Sequence, residues 1–416
     1  MTQFPTEYAR RQFPALTQAG DFIFFDNAAG AQVPARVIDA VTDHLVARNV
    51  QRGGPYGRSL EVDAMIVRAR HAVAAFLNAT NHDDIAFGLN ATAFIRAISL
   101  AVGQTLTPRS DIVVTDLDHE ANVATWLALE SMGASIRWWR VRNDGRLYTE
   151  DLDAVLTPRT RLVACTLAAN ATGSVVDIAE VSRRAHAAGA EVFVDAVHYA
   201  PHGPLDVQAL GCDYLVCSGY KIFAPHMGFA WGRRESMAAL PTFREDFIPD
   251  AMPYKLEAGT FVYENVAGME AAVAYLEDLG RRVNGTGTPP ASRQAAIRHA
   301  MDAIAAYERI LSAALLDAVE NIDGATIYGV TDRARLHERV PTICFSVRGV
   351  RSAAIADALA ARDIGARSGH MYSPRVIARL GIPDGAAVRV SLVHYNTRDE
   401  VARFGETLTE IIRTLS

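Results

Sequence analysis

Cys217-Ser-Gly-Tyr-Lys-Ile-Phe223 is the stretch on which the fold turns. The apolar run Tyr214–Cys217 reads as a buried strand, and a small polar turn after it presents Lys221. In an α/β protein that position is the carboxyl edge of the sheet, where ligands bind. A lysine there forms a Schiff base when its surroundings favour the neutral amine, although a solvated lysine has the same local sequence. Upstream, Glu191-Val-Phe-Val-Asp195 ends another buried run in an acid. Such an aspartate can face a protonated ring nitrogen or cap a turn. Further strand candidates are Asp84–Phe87, Asp111–Thr115, Ser135–Arg140 and Leu162–Leu167, with helical patterns at Thr92–Val102, Asn122–Met132, Ile178–Ala188 and Val207–Leu210. This alternation predicts a mostly parallel sheet covered on both faces, from about Asp26 to Gly280.

Beyond it, Asn284-Gly-Thr-Gly-Thr-Pro-Pro290 reads as a linker. A long helix (Ser292–Val319), strands near Ala325–Tyr328, Ile343–Val347 and Val388–Leu392, and a helix at Ser352–Ala361 follow. A last helix starts at Thr397 with Asp399 and Glu400 in its first turn, which suits the helix dipole. The pattern is that of a smaller α+β unit.

The 416 residues are 50% hydrophobic and 21% charged, enough for a large core. A formal charge of -6, with no block of like charges, argues against a nucleic-acid arm or acidic tail and for a small-molecule site. Apolar runs stop short of the ~18 residues that span a bilayer, and Met1 to Gly20 lacks a signal-peptide core, so a soluble cytoplasmic protein is expected. Cys165, Cys212, Cys217 and Cys344 are spaced neither as a metal knuckle nor as a disulfide framework, and no metal is expected.

Three other segments offer chemistry. Phe87-Gly-Leu-Asn-Ala-Thr-Ala93 is a strand, a small turn and a helix start, whose free N–H groups suit a phosphate. In Asp116-Leu-Asp-His-Glu-Ala-Asn122, His119 can stack on a flat ring or act as acid or base. Asn170 is a short amide at another strand end, able to donate to a ring oxygen.

In this order the pieces resemble the class V aminotransferase fold family of pyridoxal phosphate enzymes, and within it the cysteine desulfurase and selenocysteine lyase branch. Phe25-Asp-Asn-Ala-Ala29, Asn49-Val-Gln-Arg-Gly53, Asn170-Ala-Thr-Gly173, Asp195-Ala-Val-His198, Ser218-Gly-Tyr-Lys221, Glu257-Ala-Gly-Thr260, Arg367-Ser-Gly-His370 and Arg389-Val-Ser-Leu-Val-His-Tyr-Asn-Thr397 carry the resemblance. It implies an α/β fold of type I. A large domain (26–283) holds a mostly parallel seven-stranded sheet, and a smaller α+β C-terminal domain (284–416) is joined by the N-terminal segment (1–25). It also implies pyridoxal 5'-phosphate as cofactor. Lys221 resembles the Schiff-base lysine, Asp195 the partner of the pyridine nitrogen, and His119 the stacking residue, with Val197 on the other ring face. Asn170 and His198 would lie near the ring hydroxyl; Ala91, Thr92, Ser218 and Tyr220 would surround the phosphate. Thr260 would reach a neighbouring subunit's phosphate, which makes a homodimer the expected assembly. Arg389 and Arg367 would clamp the substrate carboxylate, with Asn27 and Tyr372 as further substrate-site residues.

The departures bear on the reaction. Family members that mobilise sulfur carry a cysteine in the segment matching Arg367–Ser373, where this chain has Tyr372 preceded by Met371. A thiolate accepts sulfur as a persulfide; a phenol or thioether does not. Tyr220 stands where the family usually has histidine, and His198 where it often has glutamine. The expected activity is therefore β-elimination from an amino acid, a C–S lyase reaction. Transamination or epimerisation is the alternative on this fold, and a binding protein that has lost the chemistry is a third reading.

Overall fold

The computed structural model describes residues 4–107, 110–283 and 290–415. β1 (Ile23–Phe24) stands apart from the large sheet. That sheet contains β2 (Ile85–Gly88), β3 (Asp111–Thr115), β4 (Ser135–Trp139), β5 (Thr160–Thr166), β6 (Glu191–Asp195), β7 (Tyr214–Ser218) and β8 (Gly228–Gly232). Their spatial order is β2-β8-β7-β6-β5-β3-β4, and every pairing is parallel except those of β8, which runs against both neighbours. The mostly parallel seven-stranded sheet expected from sequence is present.

Its side chains alternate between two cores. Val192, Val194, Leu215 and Cys217 pack on one face, and Phe193, Tyr214 and Val216 on the other. Because both faces are buried, the strands read as unbroken apolar runs rather than alternating ones. β8 escaped the sequence reading because Gly-Phe-Ala-Trp-Gly has no β-branched residue and a glycine at each end. The stretch Asn122–Met132 is not one helix: an α-helix over Ala121–Leu127 tightens into a 3₁₀ segment over Ala128–Met132.

The smaller sheet is antiparallel throughout. After β9 (Ala325–Tyr328) and β10 (Thr342–Val347) come β11 (Ile364–Gly365), β12 (Arg367–Gly369) and β13 (Ala387–Ser391). β12, β13, β10 and β9 pair in that order, while β11 pairs in parallel with β1. Helices Arg293–Glu320, Ser352–Ala360 and Arg398–Leu415 bring Leu315, Ile355 and Phe404 onto Phe345 and Val388, a core that also includes Ile23 and Phe25. The last helix starts with a capping box. The Thr397 Oγ1 accepts the Glu400 N–H at 3.1 Å, and Glu400 Oε2 accepts the Thr397 N–H at 3.0 Å. The linker stretch lies outside the described residues apart from Pro290. Among the described residues no helix is long and apolar enough to cross a membrane.

One buried ion pair fastens the edge of the large sheet. Arg70 donates from Nη2 to both oxygens of Glu257 at 2.6 Å and from Nε to the Ile85 carbonyl, while Glu257 accepts the Phe87 N–H. Both side chains are almost fully buried. Removing one partner leaves the other charge uncompensated, a cost of about 3–5 kcal/mol. Glu257→Ala is therefore expected to lower the thermal midpoint by several degrees, and the double change Arg70→Leu/Glu257→Leu to recover most of the loss. A double variant less stable than the single one would contradict this account.

Candidate active site

Parallel pairing sets the site. Thr166 lies opposite Asp195, and Asp195 opposite Val216, so β5, β6 and β7 end side by side. Lys221 follows the end of β7 by three residues, in a short 3₁₀ turn. A cavity of about 240 Å³ opens at this edge. Asp195, Val197 and His198 enter it from β6; Ser218, Tyr220 and Lys221 from β7; and Asn170 from beyond β5. Ala91 and Thr92 reach it from the start of the Ala91–Gly103 helix, and His119 from the loop after β3. Arg367, Tyr372 and Arg389 come from the smaller sheet and the turn after β12.

Asn27, expected at the substrate, does not line the cavity; Thr260, expected to reach a neighbouring subunit's site, does not line this one either. The Asn27 amide is taken up by the carbonyls of Phe24 (2.7 Å) and Ser391 (2.9 Å) and by Asn396, and its oxygen accepts the Tyr395 hydroxyl. Its position ties β1 to β13 and leaves nothing for a substrate. Thr260 points outward, with its Oγ1 on Gln51 Oε1 at 3.1 Å. The sequence reading also passed over Asp26 and Thr166. Asp26 was visible within Phe25-Asp-Asn-Ala-Ala29, but only the tertiary fold reveals its partners.

Burial governs the electrostatics. It pushes the Lys221 amine down to about 7, helped by the Arg389 guanidinium and opposed by Asp26 and Asp195. The amine donates to the Ala28 carbonyl. Burial raises Asp195 to about 6, opposed by the Val197 N–H, which donates to Oδ1 at 2.9 Å, and by Lys221. His119 falls to about 4 through burial and the nearby Lys221 and Arg389. Its Nδ1 accepts the Ala121 N–H at 3.1 Å, so the neutral ring carries its proton on Nε2. His198 is likewise held neutral by burial, with Nε2 3.1 Å from Thr342 Oγ1.

The turn after β12 is pinned. Met371 and Tyr372 both have left-handed backbones (φ 55° and 58°), a strained pair for residues with side chains. Asn170 Nδ2 donates to the Met371 carbonyl (2.7 Å), Ser373 Oγ donates to Asn170 Oδ1 (2.8 Å), and the Glu120 N–H donates to the Tyr372 carbonyl (2.8 Å). Arg375 grips Glu120 with two hydrogen bonds. One N–H of the Asn170 amide is thus spent on the turn and one remains. The Tyr372 ring stands 5.7 Å from that of His119 and stays largely exposed. All four cysteines are buried, and none lines the cavity. Among the described residues, no group of three or more His, Cys, Asp or Glu side chains could hold a metal ion.

These donors fit pyridoxal 5'-phosphate. Asp195 is a buried carboxylate at the cavity whose Oδ1 is met by one backbone N–H, which suits a protonated ring nitrogen. The Ala91–Gly103 helix starts at the cavity, and its Asn90 cap satisfies the Ala93 N–H. Gly228 lets this turn sit tight on β8, since a Cβ there would meet the Asn90 backbone at 2.4 Å. In the cofactor-free chain, borohydride trapping of an aldehyde on Lys221 should rise with pH around a midpoint near 7, because only the unprotonated amine adds. Arg389→Met should move the midpoint up and Asp195→Asn down. A wild-type midpoint near that of free lysine, about 10, would mean that burial does not depress the amine.

The family model described as Aminotransferase class-V matches residues 23–284 and 287–404. An aminotransferase-like protein, FGM3, of Gibberella zeae is 35% identical over 411 residues, covering 96% of each chain. A cysteine desulfurase of an Enterobacter species is 32% identical over 429 residues, covering 98% of each. Among solved structures, the Escherichia coli cysteine desulfurase CsdA superposes with a TM-score of 0.84 at 26% identity, over 99% of this chain and 100% of that one. The cofactor of these families is pyridoxal 5'-phosphate. With its sheet edge, buried lysine and opposing aspartate arranged as described, the chain belongs to the class V aminotransferase family.

Proposed function

We propose that this protein is a pyridoxal-phosphate-dependent C–S lyase that eliminates the β substituent of an amino acid. The observation that carries the reading is a cavity with a depressed lysine, a buried aspartate and two arginines, into which no thiol projects. The bound cofactor supplies an electron sink that acidifies the substrate Cα–H. Arg389 and Arg367 orient the substrate carboxylate through their planar forks. Lys221, whose neutral amine is favoured by burial, takes the Cα proton at Nζ. Asp195 would hold the proton on the ring nitrogen by its charge, and neutral His119 and Val197 would flank the ring. The C–S bond then breaks with its electron pair leaving on sulfur, and water and loss of ammonia yield a keto acid.

Persulfide formation fits less well. Burial raises the thiols of Cys165, Cys212, Cys217 and Cys344, the reverse of what a nucleophilic thiolate needs. Transamination is the second reading, favoured by the aminotransferase-like name of the fungal relative. Thr260, exposed and turned away from this chain's own cavity, suits completion of the phosphate site by a second copy of the chain.

The decisive assay follows keto acid and freed sulfur together from cystine, cysteine conjugates and cysteine sulfoxides. Equimolar pyruvate and leaving group (thiocysteine from cystine, a thiol from conjugates, a sulfenate from sulfoxides), abolished by Lys221→Ala, is the expected result. Alanine plus persulfide from cysteine would overturn it, and a transaminated pair would move the assignment to aminotransferase. Tyr372→Phe should slow release of poorly leaving thiols several-fold if the phenol protonates sulfur; unchanged turnover and preference would remove that role.

A further inference from the structure

The helix Pro374–Arg379, directly after the Tyr372 turn, is fastened to the large domain by two arginines one helical turn apart. Arg375 donates to Glu120 from Nε (3.1 Å) and Nη2 (3.0 Å), and its guanidinium carbon lies 5.0 Å from the centre of the Trp138 ring on β4. Arg140 lies over the same ring at 4.4 Å and reaches the buried carboxylate of Asp116. Arg379 donates from Nε to the Val141 carbonyl at 3.0 Å. The Glu120 N–H in turn donates to the Tyr372 carbonyl at 2.8 Å, so Arg375 closes a ring of contacts that begins and ends at Tyr372. Glu120, Trp138, Arg375 and Arg379 do not line the cavity, whereas Tyr372 does, 61% exposed and with its ring 5.7 Å from that of His119. An aromatic face held in place before a ligand arrives gains affinity, because binding does not have to order it.

We propose that Arg375 latches the Tyr372 turn to Glu120 and Trp138 so that the phenol ring stands as a fixed platform, and that this platform selects cysteine derivatives with a flat apolar substituent on sulfur. The inference rests on the C–S lyase reading above and names the leaving-group class of that site. Arg375 lies off the cavity and acts through Tyr372, as a positioning residue.

Two measurements on the holoenzyme test it. Amide hydrogen exchange without substrate reads the latch: Arg375→Gln should speed exchange at Glu120 and the Met371–Ser373 turn about fivefold. Arg375→Lys, which keeps the charge but loses the two-pronged grip, should do so by less. Absorption of the bound cofactor reads binding of S-benzylcysteine against S-methylcysteine. The wild type should prefer the benzyl derivative, and Arg375→Gln should lower that preference about fivefold while leaving the methyl derivative unchanged. In a Tyr372→Ala background the Arg375 substitution should have no further effect on binding, whereas a purely structural effect would add to that of Tyr372→Ala. Exchange as slow as in the wild type, a wild type without benzyl preference, or an additive double variant each overturns the inference. The Arg375 and Glu120 side chains are each 33% exposed, so little of the fold hangs on the pair. Should Arg375→Gln nonetheless not fold, Glu120→Gln breaks the same pair from the other side and must give the same two results. If neither derivative moves the spectrum, the amino-acid reading itself fails and the substrate selection falls with it. Shifts without benzyl preference sink only the platform.

Discussion

The cost of placing positive charge in one enclosed space is the constraint on which the site depends. Arg389 stays ionised at any ordinary pH, and it is almost fully buried beside the cavity. A second permanent charge at Lys221 would be repelled by it and poorly solvated, so the lysine yields and its amine becomes available as a nucleophile or base. Burial, aided by the charges of Lys221 and Arg389, keeps His119 neutral, which suits a ring that packs against a flat partner. The carboxylates answer in two different ways. Asp26 lies between the arginines and offsets part of their charge, while Asp195, buried with one backbone donor, keeps its capacity for a cation supplied from outside the chain.

That field exists only because two separately built cores meet. The large sheet carries Lys221, Asp195 and His119; the small one carries Arg367 and Arg389. Short polar contacts register them: Asn170 to the Met371 carbonyl and Ser373, the Glu120 N–H to the Tyr372 carbonyl, Arg389 to the Asn170 carbonyl. The parallel pairing of β1 with β11 and the Asn27 hydrogen bonds add a strap from the N-terminal segment. Asn27 is thus important to the site by geometry, though its side chain never faces the cavity.

Much of this was legible in the sequence because parallel α/β folds gather chemistry at strand ends, and strand ends are local. Lys221, Asp195, His119 and Asn170 each end or closely follow an apolar run, and all four meet in the cavity. What escaped the reading depends on distant neighbours. The antiparallel β8 is glycine-flanked and poor in strand formers, and β12 is three residues long. Nothing near Asp26 in sequence foretells Arg367 or Arg389, more than 340 residues away. Asn27 was matched by motif, but a motif cannot tell a side chain used in folding from one that faces a ligand.

The Met371–Tyr372 turn is where the proposed chemistry and the fold bear on each other most directly. A group that accepts sulfur must approach the substrate, take the atom, and withdraw to hand it on, which calls for a loop with freedom to move. Here two consecutive residues hold left-handed conformations, both carbonyls are hydrogen-bonded to the loops carrying His119 and Asn170, and an Arg375–Glu120 pair closes the turn. Strain of this kind persists only where the surroundings over-determine it. A pinned turn can shape a leaving-group pocket and hold a phenol beside it, but it is ill-suited to carry sulfur away. Under the proposed elimination, the hydrogen bonds that fix this turn keep Tyr372 in place as one wall of the cavity.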